Sequence, residues 1–392
     1  MSTGWMDETI CGHWGEEQPA PCHAVVPPLY LNSLHTFDTI EDCMNFNADE
    51  DNGQYTYGRV SNPTVALLEQ KLNALERGAG ALCFGSGMAA ITSTVMHCVK
   101  PGGHIVAVRN CYGPAAHFFT QQLHDKFGVD VTFVEGSDVS EFERAARKNT
   151  QLFYLESPSS LVFSLQDLKK VAQLAKSLGV KTAIDNTWST PIFQKPITMG
   201  IDFVIHTLSK YVGGHSDIIG GAAICASHDD YLSIRKVERE LFGGILGPFE
   251  GWLAIRGLRS LNARMAAHQA NAMEIAHRLA EHKKVKTLYY PGHPSHPQYA
   301  LAKEQMSGFS GLMSIVPDMS FERTCAFVNK LELFRRGCSW GGFESLVIVP
   351  MHGMSEEQAR AAGGARNLVR LHVGQENVED LWRELDSALN EA

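Results

Sequence analysis

Lys210 stands in the stretch HTLSKYVGGHSD (206–217), with hydroxyls at Thr207 and Ser209 on one side and a glycine pair, Gly213 and Gly214, on the other. A surface lysine needs no such company. A lysine that bonds covalently to a phosphate-bearing cofactor does: the amine forms the bond and the hydroxyls donate to phosphate. Asp185 lies upstream in TAIDNTWSTP (182–191), directly after a short apolar run that reads as a buried strand. An acid there faces the crevice at a sheet edge. It serves either as a helix cap or as a carboxylate that keeps a ring nitrogen protonated. A third stretch, CFGSGMAAI (83–91), reads as strand, glycine turn and helix start. Backbone N–H groups at a helix N-terminus bind anions, and glycines admit a phosphate closely. It matches neither a dinucleotide fingerprint nor a P-loop, so an ordinary tight turn is the competing reading.

The three together narrow the chemistry. If parallel strands end at Asp185 and just before Lys210, one crossover brings both to the same edge. An acid for a pyridinium and a lysine for a Schiff base are what pyridoxal 5′-phosphate (PLP) requires.

The elements that would position these residues are readable. Short β-rich runs at 81–84, 104–108, 129–134, 151–155, 180–184, 202–205 and 220–225 alternate with helical patterns. Such alternation predicts a mainly parallel sheet covered by helices, with strand ends converging on a crevice. SNPTVALLEQKLNALERG predicts a helix capped by Asn62, started by Pro63 and stopped by Gly78. SLQDLKKVAQLAKSLG predicts another, with Leu168, Val171, Leu174 and Leu178 on the buried stripe. Residues 1–60 read as an irregular arm, 61–250 as the cofactor-binding domain, and 251–392 as a smaller α+β unit that opens on a long helix.

Bulk properties exclude other classes. The 392 residues carry 34 basic and 43 acidic side chains, a formal charge of −9. An acidic balance without basic blocks speaks against nucleic acid or an anionic membrane as partner. No apolar run is long enough to span a bilayer, and no signal peptide is expected. Nine scattered cysteines without a CxxC suggest reduced thiols and a cytoplasmic setting. His293 and His296 in PGHPSHP lack further ligands at metal spacing, so no metal is expected. His206, His215 and Cys111 are taken as structural.

Several ordered stretches then carry a resemblance: YTYGRVSNPT (55–64), GSGMAAI, CYG (111–113), YLESPSS (154–160), IDNTWSTP, HTLSKYVGGHSD, SWGGFESL (339–346) and LVRLHVGQENVEDL (368–381). Over nearly its whole length the chain resembles the Cys/Met-metabolism, or transsulfuration, family of PLP enzymes. The resemblance implies an α/β chain of PLP fold type I, aspartate-aminotransferase-like, with a mainly parallel seven-stranded sheet. It implies PLP as cofactor, bound covalently to Lys210, with Asp185 as pyridinium partner. Gly87, Met88, Thr207 and Ser209 become the phosphate cradle. Tyr112 stacks on the cofactor ring, near the substrate. Arg370 clamps the substrate carboxylate, and Ser339 and Trp340 flank the substrate. Tyr57 and Arg59 reach the cofactor phosphate of a neighbouring subunit, with Tyr57 also near its substrate, in a homotetramer built from dimers with shared sites. One departure stands out: many members have asparagine beside the ring after ESP, where this chain has Ser159 and Ser160.

The resemblance also bears on the reaction. Members acting at Cγ often carry an acid just before the S-x-GG-x-E-S stretch, where this chain has Cys338. Trp340 and RLHVGQENVEDL are closest to bacterial cystathionine β-lyases. The expectation is β-elimination of L-cystathionine or a related cysteine S-conjugate, a small amino-acid substrate. Against it, AVVPPLYLNS (24–33) is closer to the γ-acting branch, so γ-lyase or γ-synthase activity is the alternative. A PLP-binding oligomer without catalysis is the remote one.

Overall fold

The computed structural model describes residues 4–16, 21–46 and 53–392. The stretch expected to be an irregular arm therefore lies partly outside the described residues. Its described part holds a helix the sequence pattern did not reveal, α1 (Asp7–His13), which buries Ile10 and Cys11. Asp7 pairs with Arg77 and Lys195, at 2.8 and 2.7 Å, and Glu16 pairs with Lys71 and Arg259, at 3.0 and 2.8 Å. Acids near this short helix meet four cations of the main body, of which Lys71 is fully buried and Arg77 exposed, and its two apolar side chains alone do not predict them.

The predicted first helix forms as α2 (Pro63–Glu76), with the Asn62 side chain accepting from the Thr64 amide. Beyond it come β1 (Gly80–Phe84), α3 (Gly87–Cys98), β2 (His104–Val108), β3 (Asp130–Val134) and β4 (Thr150–Glu156). Then follow α4 (Leu168–Leu178), β5 (Lys181–Asp185), β6 (Phe203–Thr207) and β7 (Gly221–Cys225). The seven strands make one sheet in the order β1-β7-β6-β5-β4-β2-β3. Strands β2 to β6 run parallel, and β7 lies antiparallel between β1 and β6. Because β4, β5 and β6 are parallel neighbours, Glu156, Asp185 and Thr207 are brought to one edge of the sheet.

The buried face of α4 is Leu168, Val171, Ala172 and Ala175, while Leu178 is exposed. The helix turns its alanines inward, which brings it closer to the sheet than a stripe of leucines would allow.

The long helix forms as α5 (Pro248–Glu281). Ala254, Ile255, Leu258, Leu261 and Met265 belong to the core around the seven-stranded sheet. Ala272, Ile275, Ala276 and Leu279 belong to a second core. One helix thus ties both. The second core covers a smaller sheet of β8 (Val285–Tyr289), β9 (Leu312–Pro317), β10 (Arg335–Arg336), β11 (Leu346–Ile348) and β12 (Val369–His372), closed by α6 (Val378–Glu391).

His268 of α5 sits at the junction, fully buried, 5.1 Å from the Tyr211 ring and 5.2 Å from that of His372. Its Nδ1–H donates to the Val373 carbonyl at 3.0 Å, and burial pushes its pKa down to about 4. A histidine held neutral in the fold contributes stability that is present above its unfolded pKa, about 6.5, and lost as pH falls toward the folded value. Denaturant unfolding across that window should show wild type losing a few kcal/mol relative to His268→Gln, at about 1.4 kcal/mol per pKa unit. A gap that stays constant with pH would show that His268 titrates alike in both states.

Candidate active site

A cavity of about 270 Å³ opens where the strand ends of the large sheet meet the smaller one. Lys210 enters it from the turn after β6. Its Nζ donates to Ser339 Oγ at 2.8 Å and lies 5.4 Å from the centroid of the Trp340 ring. Desolvation, and then the nearby Arg370 guanidinium, push the Lys210 pKa below the ordinary lysine range. The amine is held by a hydroxyl and an aromatic face, and among the described residues no carboxylate is in salt-bridge contact with it.

Three features fix the lysine turn. The Arg264 guanidinium, buried on α5, donates to the carbonyls of Tyr211 at 2.7 Å and Val212 at 3.4 Å. Ser209 Oγ accepts from the Gly220 amide at 3.2 Å. Gly341 packs against the Lys210 backbone from the other side: it holds φ +86°, and a Cβ there would fall 2.7 Å from the Tyr211 nitrogen. Only glycine suits both that angle and that approach.

Asp185 is buried at the end of β5. Its Oδ1 accepts from the Thr187 amide at 3.0 Å and the Thr187 hydroxyl at 2.5 Å. Thr187 Oγ1 in turn accepts from the Thr207 amide at 2.8 Å. Oδ2 is the oxygen left for a ring nitrogen. Burial raises the Asp185 pKa against the opposing pull of Thr187, His206 and Lys210. Opposite lies the N-terminus of α3, where Ser86 Oγ accepts from the Ala89 amide at 3.0 Å. Gly87 is there by close approach: a Cβ would sit 2.2 Å from Thr207 Oγ1. Helix amides and a threonine hydroxyl thus face one spot, an arrangement that binds anions.

Arg370 reaches the cavity from β12, half-buried, and among the described residues no acid pairs with it. Desolvation lowers its pKa to about 10. A desolvated guanidinium is a ready fork for a ligand carboxylate.

The whole chain matches known proteins on the same terms. Residues 8–390 match the model of the Cys/Met metabolism PLP-dependent enzymes. The chain belongs to that family. It is 41% identical to a cystathionine gamma-lyase of Bacillus subtilis, over 86% of this chain and 88% of the relative. It is 34% identical to a cystathionine beta-lyase of Coxiella burnetii, over 96% of each. The crystal structure of metB from Corynebacterium glutamicum superposes with a TM-score of 0.90 at 32% identity, covering 99% of this chain and 98% of that one.

The family's cofactor is PLP, and the residues present fit it. The helix N-terminus and Thr207 offer a phosphate site, Asp185 Oδ2 a partner for a ring nitrogen, and Lys210 an amine that no described carboxylate meets at salt-bridge distance. Gly87, Met88, Tyr112, Asp185, Thr207, Ser209, Lys210, Trp340 and Arg370 all line the cavity, and Ser339 touches it through Lys210. Tyr57 and Arg59 do not line it. They lie on the surface of the single chain, with Arg59 paired to Glu240 at 3.2 Å and stacked 5.8 Å from the Tyr57 ring centroid. Cys111 is buried, and burial pushes its thiol pKa up, which leaves it inert.

Three contributors had escaped the sequence. Thr187 relays between Asp185 and Thr207, and its place two residues after Asp185 was a usable signal. Glu156 lies in the quoted YLESPSS, but nothing local marks it as facing Asp185. Arg264 lies far along the chain from the turn it braces, and no spacing rule finds it.

Gly87→Ala should retain the fold and weaken PLP binding tenfold or more, since the new methyl must displace Thr207. Titrating the apoprotein with PLP by fluorescence measures this. Unchanged affinity would remove Gly87 and Thr207 from the phosphate site.

Proposed function

We propose that this chain is a PLP-dependent carbon–sulfur lyase that performs β-elimination on L-cystathionine or a related cysteine S-conjugate. With water, the products are the thiol (homocysteine from cystathionine), pyruvate and ammonia. The observation that carries the reading is Arg370: an unpaired, desolvated guanidinium in the cavity that also holds the Lys210 amine.

Bound PLP supplies an electron sink for the negative charge that develops at the substrate α-carbon. The chain's own residues do the rest. Arg370 fixes the α-carboxylate through two parallel hydrogen bonds and so sets which substituent of the α-carbon faces Lys210. The Lys210 amine, with its pKa lowered, removes the α-proton. Ser339 aims it and Trp340 walls it from solvent. Departure of the sulfur needs a proton, which Lys210 returns or Tyr112 delivers from the cavity mouth. Cys338 lines the wall where γ-acting relatives often carry an acid, and this favours loss of the β-substituent.

The second reading is γ-elimination, favoured by the 41%-identical cystathionine gamma-lyase and by an L-methionine gamma-lyase of Fusobacterium nucleatum that is 37% identical over 92% of both chains. Product analysis with L-cystathionine separates the two: homocysteine and pyruvate support β-elimination, whereas cysteine and 2-oxobutyrate overturn it.

Arg370→Lys should retain PLP and its visible absorbance yet lose activity on every amino-acid substrate alike. Truncating one side of a desolvated charge pair costs on the order of 2–5 kcal/mol, about 30- to 5,000-fold in kcat/KM. Steady-state kinetics showing a loss below tenfold would reduce Arg370 to a surface charge.

Tyr57 and Arg59 enter the proposal through a neighbouring subunit's site. Mixing inactive Arg59→Ala with inactive Lys210→Ala chains should then restore activity, because one site of each mixed dimer has both residues intact. No recovery after proven subunit exchange would place Arg59 in its own chain's chemistry.

A further inference from the structure

Glu156 ends β4 in register with Asp185 at the end of β5, so the sheet brings two buried carboxyls side by side. Their surroundings differ. Asp185 feels Lys210 and His206 and accepts two hydrogen bonds from Thr187. Glu156 faces Asp185 from the next strand, with Tyr154 on its own strand, Cys111 in the loop after β2 and Arg370 across the cavity. The phenol and thiol are neutral there, and the charge that acts most on Glu156 is the like charge of Asp185. Its Oε2 accepts from the Tyr112 amide at 2.7 Å, and its Oε1 lies 2.6 Å from Ser160 Oγ. Ser160 is half-buried and lines the cavity.

Two carboxylates at adjacent strand ends cannot both keep their charge without water. The proton stays on the one with fewer cations. We propose that Glu156 works as a carboxylic acid: it donates its proton to Ser160 Oγ and so turns the Ser160 hydroxyl hydrogen into the cavity, as a donor to an oxygen of the bound cofactor. Ser160 then contacts the cofactor, and Glu156 positions it. The same carboxyl holds the Tyr112 amide, so one group orients both the hydroxyl and the loop that carries the ring. Burial and Asp185 lift the Glu156 pKa to about 8, so the donor state holds below that pH. Above it, an ionised Glu156 accepts the Ser160 hydrogen, and Ser160 Oγ presents only an acceptor to the cavity. The inference rests on PLP occupying the site, and its first test does not.

Infrared difference spectra of wild type against Glu156→Gln, on apoprotein and holoenzyme, should show the C=O stretch of a protonated carboxyl at neutral pH. That band should fade as pH rises through about 8. Its absence at neutral pH overturns the proposal whether or not PLP binds. In PLP titrations, Glu156→Ala should bind about three- to tenfold more weakly, the worth of one hydrogen bond. Glu156→Gln, whose amide also donates to Ser160, should restore the affinity. Wild-type affinity should fall above about pH 8, and that of Glu156→Gln should stay level. Should the Glu156 variants misfold, Ser160→Ala serves: it should shift the carboxyl band and weaken PLP similarly. A Ser160→Ala protein with the band and the affinity unmoved, or a Glu156→Gln protein as weak as Glu156→Ala, overturns the proposal. A band that behaves as expected in a chain that takes up no PLP would refute the cofactor reading instead.

Discussion

The site depends on keeping the Lys210 amine desolvated and out of salt-bridge contact with any acid. An ammonium in salt-bridge contact with a carboxylate would hold its proton and could neither bond to a cofactor nor accept an α-proton. Here the amine meets Ser339 Oγ and the Trp340 ring, and the nearby positive charge of Arg370 works with desolvation to favour its neutral form. Ser339, Trp340 and Arg370 all come from the C-terminal part of the chain. The lysine comes from the large sheet. The amine's protonation therefore depends on how the two cores are docked, and α5, which runs through both, sets that docking. Arg264 on the same helix grips the carbonyls of the lysine turn. A shift of the helix would move the turn with it.

Charge is distributed around that amine by type. The partial positive charge of the α3 N-terminus and the hydroxyl of Thr207 form a positive, anion-binding pole. Arg370 forms a second, across the cavity. The negative pole is Asp185, isolated from water and steadied by Thr187. Anion sites at two ends and a carboxylate between them suit a ligand with a phosphate, a carboxylate and a protonated ring nitrogen. Glu156 would disturb this pattern if it were ionised, because it would double the negative pole beside Arg370 and compete for the guanidinium. Its elevated pKa is therefore as much a part of the arrangement as the charges themselves.

Much of this was legible because it is local. Asn62 and Pro63 start α2 as their backbone preferences require, though its left-handed end falls on Arg77 (φ +64°), one residue before the Gly78 expected to stop it, and the β-rich runs 104–108 and 180–184 match β2 and β5 within a residue. Lys210, Asp185 and Gly87 were readable because parallel topology turns sequence order into spatial convergence at strand ends. The rest was hidden because it is non-local. Glu156 becomes informative only when the register of β4 on β5 is known. Arg264 needs the path of α5, and α1 is stabilised by ion pairs to residues scattered over the chain. The buried stripe on α4 was misplaced because alanine reads weakly as apolar, yet close packing on a sheet selects it. Tyr57 and Arg59 lie outside the single-chain cavity, and the local sequence around them gives no sign of that.

Removing the α-proton is common to β- and γ-elimination, and so are the residues that perform it: an amine, a carboxylate clamp and a partner for the ring nitrogen. Relatives of both kinds can therefore share the whole frame, which is how a cystathionine gamma-lyase and a cystathionine beta-lyase lie at 41% and 34% identity to one chain. What differs is where the next proton must go. A leaving group on Cβ departs as soon as charge reaches the α-carbon, and it needs one proton at the sulfur. A leaving group on Cγ departs only after a second proton has left Cβ, so it draws on a further acid or base along the wall that faces the substrate's side chain. That wall here presents Cys338 and Trp340, a thiol and an indole whose only polar group is a donor. Neither takes up a proton as a carboxylate does. The choice of bond would thus fall to a few side chains in the loop between β10 and β11, while the large sheet carries what either choice requires.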